Sequence, residues 1–356
     1  MSDDKQATTI REIAALAGVS GGTVSRVMND KPGVGAETRE RIKALIEKHD
    51  FHGDATARQL SRGRSDSLGI VFPLQVSEVV MHPVYPELLG AISDAAQEAG
   101  YDVILFTTNA SRGVDHVLEA VKRKRVDGLI LPAASSDDPL IGRLESMRVP
   151  TVLIGHRHTA DHVTWVDCTH DEAMFGITTD LLRDGRRSLT LFNGPERISA
   201  YALRSAGFWR AIREFNNPAV QADERVFEMG YASGVAAAEA LLAERPATDA
   251  ILCSADTTAA GALEHLSKNG NAVPGQIAVT GFDDIDFSRH SSPSLSSVRM
   301  PLHDTGAAAV SLLLEMLGGG DGGTPAPRLL ATTLIGREST GDAVPALEIS
   351  PVPGSD

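Results

Sequence analysis

The sequence predicts a small all-α helix-turn-helix unit followed by a larger α/β core built on parallel sheets. Three observations carry that prediction. In the first 50 residues, apolar side chains recur at helical spacing and are interrupted by a glycine turn. From Leu68 onward, short apolar runs alternate with amphipathic helical stretches, the pattern of strands covered by helices on both faces. The chain has 356 residues, more than one compact domain usually holds.

The elements follow in order. Thr9-Ile10-Arg11-Glu12 is a capping box, in which the threonine oxygen can accept the Glu12 N–H and the carboxylate can reach back. Ile10, Ile13, Ala14 and Ala17 then share one helical face, and Gly18 ends the helix. Ser20 is a good N-cap for a second helix to about Asn29, with Val24, Val27 and Met28 on its apolar side. Pro32, Gly33 and Gly35 mark a loop, and 36–49 read as a third helix with Ile42, Leu45 and Ile46 inward. These three helices make a headpiece over 8–52. Residues 53–65 are polar and read as a hinge that orders only when something packs against it.

The core is expected over 66–341. Its apolar runs lie at 68–72, 102–106, 128–131, 151–154, 188–192, 250–253 and 277–281, enough for two sheets. Glycine and proline make 318–327 a loop. Residues 342–356 hold three prolines and no helical period, and are expected to be a disordered tail.

The net charge of −14 is unevenly spread. Residues 1–65 hold 11 basic and 9 acidic side chains, against 22 and 38 in the remainder. An acidic body repels phosphate, so the mildly basic head is the only surface suited to a polyanion. No basic start leads into an apolar run, and no apolar stretch approaches the roughly 20 residues that cross a bilayer. With only Cys168 and Cys253, the expectation is a cytoplasmic protein with two reduced, buried thiols.

A helix, a glycine turn and a second helix can be an ordinary hairpin. Here Ala14, Gly18 and Val19 put small residues where the helices must cross closely. The second helix opens with Ser20, Thr23, Ser25 and Arg26. In DNA-binding pairs of this kind the second helix enters the major groove, its first residues at base edges and flanking hydroxyls on phosphates.

The segment Ile10–Met28, IREIAALAGVSGGTVSRVM, together with Asn29, Thr38-Arg39-Glu40-Arg41 and the stretch Ala57 to Leu60, resembles the headpiece of the LacI/GalR bacterial repressors. The resemblance runs to about Thr340 through SLGIVFP, VDGLILP, RSAGF, VPGQIAVTGFDDI and LIGREST. It implies a core with two lobes like the periplasmic sugar-binding proteins. The N-lobe would be about 66–167 with 299–329, and the C-lobe about 168–298 with 330–341. It also implies a homodimeric transcription regulator, a repressor, that binds double-stranded operator DNA and is switched by a small sugar-like effector between the lobes.

The DNA-binding residues so implied are Thr9, Ser20, Gly21, Gly22, Thr23, Ser25, Arg26, Asn29, Ala57 and Leu60. Ser20, Thr23, Ser25 and Asn29 would hold phosphates. Arg26 would read a base, most naturally guanine. Leu60 would wedge into the minor groove. The effector residues implied are Tyr85, His156, Asp167, Arg204 and Asp283. Two departures stand out: Gly21 and Gly22 replace the pair of specificity side chains usual in the family, and Ala255-Asp256 replaces its frequent Asn-Asp.

Other chemistries fit poorly. Gly18-Val19-Ser20-Gly21-Gly22 has the spacing of a nucleophile elbow but no strand before the serine. Asp283, Asp284 and Asp286 lack the spacing of a calcium loop, and His156, His158, His162 and His170 that of a zinc helix. No enzyme activity, metal, cofactor or membrane partner is expected.

Overall fold

The computed structural model describes residues 9–28, 30–51, 64–108, 113–132, 135, 138–155, 157–319 and 323–351. The chain divides into two compact units, one ending at Asp66 and one beginning at Ser67. The hinge residues 53–63 lie outside the described residues.

The first unit has three helices: α1 (Ile10–Ala17), α2 (Gly21–Met28) and α3 (Ala36–Lys48). Thr9 caps α1 through the reciprocal pair with Glu12. Gly18 ends α1 in the left-handed region at φ 65°, a conformation that glycine adopts without the Cβ penalty. The two helices can then turn sharply and bury Ile13, Ala14, Ala17, Val24, Val27, Ile42 and Phe51 in one core. Arg39 on α3 donates to the Asp30 carboxylate at 2.9 Å and to the Lys31 carbonyl at 2.7 Å, tying α3 to the loop after α2.

The second unit begins with β1 (Ser67–Phe72), α4 (Val76–Met81), α5 (Tyr85–Glu98), β2 (Asp102–Thr107), α6 (Asp115–Lys122), β3 (Gly128–Pro132), α7 (Pro139–Ser146), β4 (Thr151–Ile154) and β5 (Val163–Cys168). The chain then crosses to α8 (His170–Arg183), β6 (Ser188–Asn193), α9 (Ser199–Phe215), β7 (Gln221–Val226), α10 (Tyr231–Glu244), β8 (Ala250–Cys253), α11 (Asp256–Lys268), β9 (Ala278–Thr280), α12 (Asp286–His290) and β10 (Ser297–Arg299). It returns for α13 (Leu302–Gly318) and β11 (Arg328–Leu330), and crosses a third time into β12 (Thr332–Ile335), a 3-10 turn (Glu338–Ala343) and β13 (Leu347–Ile349).

Two parallel sheets result, ordered β11-β5-β4-β3-β1-β2 and β7-β6-β8-β9, beside a small antiparallel sheet β10-β12-β13. Both large sheets are covered on both faces. On the first, Leu88, Ile92 and Leu312 fill one side and Val117, Leu118 and Leu144 the other. On the second, Met174, Ile177 and Phe208 face Leu241, Leu263 and Leu266 across the sheet. Continuous apolar strands such as Ser67–Phe72, buried throughout, are what double covering requires.

The expected disordered tail is corrected in part. Leu347–Ile349 pairs antiparallel with β12, Leu334 opposite Leu347, and Val344 and Ile349 pack on the second lobe's core. A three-residue strand flanked by Pro345 and Pro351 is too short for a visible period, so the pairing is set by tertiary contact. Residues 352–356 lie outside the described residues. Strand β7 was also invisible to hydropathy. It is an edge strand of sequence QADERV, and edge positions tolerate charge.

The order β2-β1-β3 in one sheet and β7-β6-β8 in the other places a reversal of strand order at the carboxyl ends of β1 and β6. Such switch points open crevices where α/β proteins hold ligands.

Candidate functional site

Helix α2 presents the polar face predicted for it. Ser20 caps the helix: its Oγ accepts the Thr23 N–H at 3.2 Å and lies 2.9 Å from Thr23 Oγ1. Arg26 is exposed and has no ion-pair partner among the described residues, while Val24 and Val27 point into the core. Helical spacing therefore separates the residues that hold the headpiece together from those left free for a ligand. A Cβ at Gly21 would meet nothing within 4 Å, and one at Gly22 only Ser20 Oγ at 3.6 Å. The two glycines thus leave a bare backbone surface at the start of the helix. Thr9 is spent on capping α1, and Ser25 is half-buried. Asn29, Ala57 and Leu60 lie outside the described residues, as does His156 of the effector set.

Of the residues expected to meet an effector, Tyr85, Asp167, Arg204 and Asp283 are described, and they lie toward the carboxyl ends of the strands. Tyr85 opens α5, its ring 4.9 Å from Phe72 at the end of β1 and stacked 3.8 Å from His82. Burial drives the His82 pKa down to about 4, so that ring is neutral at physiological pH. The Tyr85 hydroxyl is held above its ordinary pKa by burial, with further contributions from Tyr201 and the Asp283 carboxyl. Tyr85 belongs to the first lobe and the other two to the second, so these groups face one another electrostatically across the lobes.

Arg204 and Asp283 form the centre. Arg204 is buried, and its guanidinium lies 3.5 Å over the Phe282 ring. Nη1 donates to the Ser254 carbonyl at the end of β8, and Nη2 is 3.8 Å from Asp283 Oδ1. Burial raises the Asp283 carboxyl to about 8, opposed by Arg204 and reinforced by Asp256. Asp283 also sits at φ 111°, a strained conformation for a residue with a side chain. Its neighbour Asp284 turns away to Arg299 at 2.7 Å and Arg337 at 2.6 Å. Asp284 is thus committed to two arginines, while Asp283 keeps only the longer contact with Arg204.

Glycine sets up this arrangement one helical turn away. A Cβ on Gly207 would come within 2.2 Å of the Asp171 carbonyl oxygen, so only glycine lets α9 lie this close to α8. Arg204, three residues earlier on the same face, is thereby brought against His170.

Asp167 is drawn in differently from the expectation that it lines the crevice. It is buried, with Oδ2 accepting from Arg157 Nε at 2.9 Å and Oδ1 3.0 Å from His170 Nε2. These partners hold its pKa below the ordinary value in spite of burial. Asp167, Arg204 and Asp283 do converge, but through His170. Donor atoms of Asp167, Cys168 and His170 lie within 4.8 Å of one another, as metal ligands do. Here two guanidiniums already occupy the neighbouring positions, and burial keeps the Cys168 thiol protonated.

Sequence reasoning missed Arg157, His170 and Tyr201. Tyr201 was within reach, because it precedes Arg204 by three residues on one helical face and its ring lies 5.6 Å from that guanidinium. The Arg204–His170 pairing spans 34 residues and has no local signal.

Residues 9–54 match the family model of bacterial regulatory proteins of the lacI family, and 178–340 match that of the periplasmic binding protein-like domain. The HTH-type transcriptional regulator CelR of Thermobifida fusca is 30% identical over 93% of this chain and 98% of its own length. A solved complex of the transcriptional regulator CelR with cellobiose superposes with a TM-score of 0.72, at 29% identity over 94% of this chain and all of that one. A lac repressor dimer bound to operator and an anti-inducer gives 0.80, at 25% identity over 94% of this chain and 99% of that one. These relatives are transcriptional regulators rather than enzymes. No described helix is long and apolar enough to cross a membrane. With its N-terminal helical unit and parallel α/β core, the chain belongs to the LacI family of bacterial DNA-binding transcription regulators.

Proposed function

We propose that this regulator is a cytoplasmic, homodimeric repressor, released from or directed to its operator by a small sugar bound between the lobes. The observation that carries the reading is the Arg204–Asp283 pair at the strand ends, flanked by Tyr85 and Tyr201. A guanidinium fork beside a carboxyl suits adjacent hydroxyl groups, and tyrosine rings suit the apolar face of a pyranose. The solved relative holding cellobiose supports the ligand class, and the lac repressor dimer on its operator supports the assembly and the DNA partner.

On the DNA side, Arg26 reads a base edge while Ser20, Thr23, Ser25 and Asn29, with Thr9, hold the backbone. Ala57 and Leu60 act at the minor groove. Tyr85, His156, Arg204 and Asp283 meet the effector, with Asp167 behind them. A bound sugar that favours one arrangement of the lobes changes headpiece spacing by shifting a population. Near-complete switching needs about 5.5 kcal/mol of discrimination between states.

The test begins with operator duplexes selected from a random pool. Cellobiose, maltose, other disaccharides, nucleosides and sugar phosphates are then screened for raising thermal stability. One disaccharide is expected to raise the melting temperature and to change operator affinity at least tenfold. Asp283→Ala is expected to abolish both effects while leaving operator binding intact. Stabilisation by a nucleoside or a phosphate alone would replace the sugar reading, and DNA affinity indifferent to every binder would remove the switch.

A further inference from the structure

We infer that His170 is a positioning residue: its imidazole receives the Arg204 guanidinium on one nitrogen and anchors to Asp167 through the other, holding the effector-facing arginine from the sheet of the opposite lobe. This rests on the effector-site reading of Arg204 but concerns a residue outside that set.

His170 opens α8 just after the chain leaves β5, and it is 1% exposed. Arg204 Nε and Nη2 both lie 3.3 Å from its Nδ1. A guanidinium offers only donors and keeps its charge, so Nδ1 must be the acceptor. The ring hydrogen then sits on Nε2, 3.0 Å from Asp167 Oδ1, where the carboxylate accepts it. One tautomer satisfies both contacts and the other satisfies neither. Asp167 is anchored in turn by Arg157 Nε at 2.9 Å, and Arg157 Nη2 donates to the Cys168 carbonyl at 3.1 Å. The chain of contacts starts on the first lobe's sheet and ends at Asp283 in the second.

The groups facing the ring are Asp167, Cys168 and Arg157 on one side, Arg204 with Asp283 beyond it on the other, and the Phe282 ring at 5.5 Å. Burial and both arginines disfavour imidazolium, and Asp167 opposes them; the balance lowers the His170 pKa. A proton on Nδ1 would point at Arg204 and displace both of its hydrogen bonds. The same geometry argues against a cation among Asp167, Cys168 and His170, since a metal on Nε2 would have to expel the hydrogen bonded to Asp167.

The experiment is nitrogen NMR on the full-length protein, without effector, using labelled histidine and arginine. His170 is expected as the neutral Nε2–H tautomer at pH 7.5 and unchanged at pH 5.5. The Arg204 Nε–H signal should be slow to exchange. In His170→Leu that exchange should quicken at least tenfold, and His170→Gln, which keeps an acceptor and a donor, should restore most of the protection. A wild-type far-UV circular dichroism spectrum and a single cooperative unfolding transition of the core in both variants would certify that each is folded. Mixed tautomers titrating near pH 6.5, or equal Arg204 exchange in the leucine variant, would overturn the assignment. So would stoichiometric Zn²⁺ uptake that erases the Nε2–H resonance, which would make the triad a metal site. Cellobiose added to the same samples tests the sugar reading separately, because the tautomer and the exchange rate are read without it.

Discussion

The DNA-facing and effector-facing regions of this regulator use the same residue types in opposite states. Arg26 is exposed on a three-helix unit, with no carboxylate paired to it among the described residues. Arg204 is buried, stacked on Phe282 and hydrogen-bonded to the His170 ring and the Ser254 carbonyl. The contrast follows from what each must meet. A phosphate backbone brings its own charge, so the headpiece can leave its cations hydrated until contact, at little cost. A neutral sugar, the effector proposed above, would bring no charge to offset desolvation, so the protein would have to bury, pair and orient its own groups beforehand. Function in the core is therefore tied to stability, and function in the headpiece is nearly independent of it.

The largest effect should come from testing that tie at Asp256. Its carboxylate is buried and accepts from Ser297 Oγ and Ser288 Oγ at 2.7 Å and from the Ile285 N–H at 2.9 Å. These bonds hold the segment carrying Asp283 and Asp284. Asp256→Ala leaves two hydroxyl hydrogens and one N–H without their acceptor, and the core should lose roughly 3 kcal/mol or more. Thermal unfolding monitored on the core checks this, and a loss below 1 kcal/mol would mean that water takes over the role.

The converse test is Arg26→Ala. The side chain is exposed, so the headpiece should unfold at the wild-type temperature to within a degree or two. Binding to a selected operator should weaken by about 1–3 kcal/mol, with a smaller loss on random DNA. Equal losses on both would show that Arg26 only neutralises phosphate.

How much could be read from sequence follows the same division. The headpiece is local: a capping box, a glycine stop and helical spacing are written within 40 residues, and α1, α2 and α3 appear where those signals put them. Strands β4 and β8 were legible to the residue because double covering buries them throughout and makes them almost entirely apolar. Polar β7 and the three-residue β13 depend on neighbours far away in sequence. In the core site, Arg204 and Asp283 were carried by segments resembling a known family. Asp167 was assigned to the crevice lining, where the structure sets it behind His170. His170 itself was weighed only as a zinc ligand, since nothing near it in sequence announces Arg204.

The smallest effect is the sharpest test of the headpiece's independence. Gly21 is helical, and a Cβ there meets open space, so alanine adds no clash. Gly21→Ala should stabilise the headpiece by up to about 1 kcal/mol, the propensity difference between the two residues in a helix. A rise of a few degrees in headpiece melting, with core melting unchanged, is the expected result. The DNA readout then separates two causes for the bare backbone. If glycine is tolerated merely because nothing needs that position, operator affinity should hold or improve as the first turn becomes better ordered. If the backbone itself approaches the groove, even a methyl group should weaken operator binding while the helix grows more stable. A stability gain with an affinity loss would place the DNA against Gly21 in a way that side-chain deletion cannot, because this position has no side chain to delete.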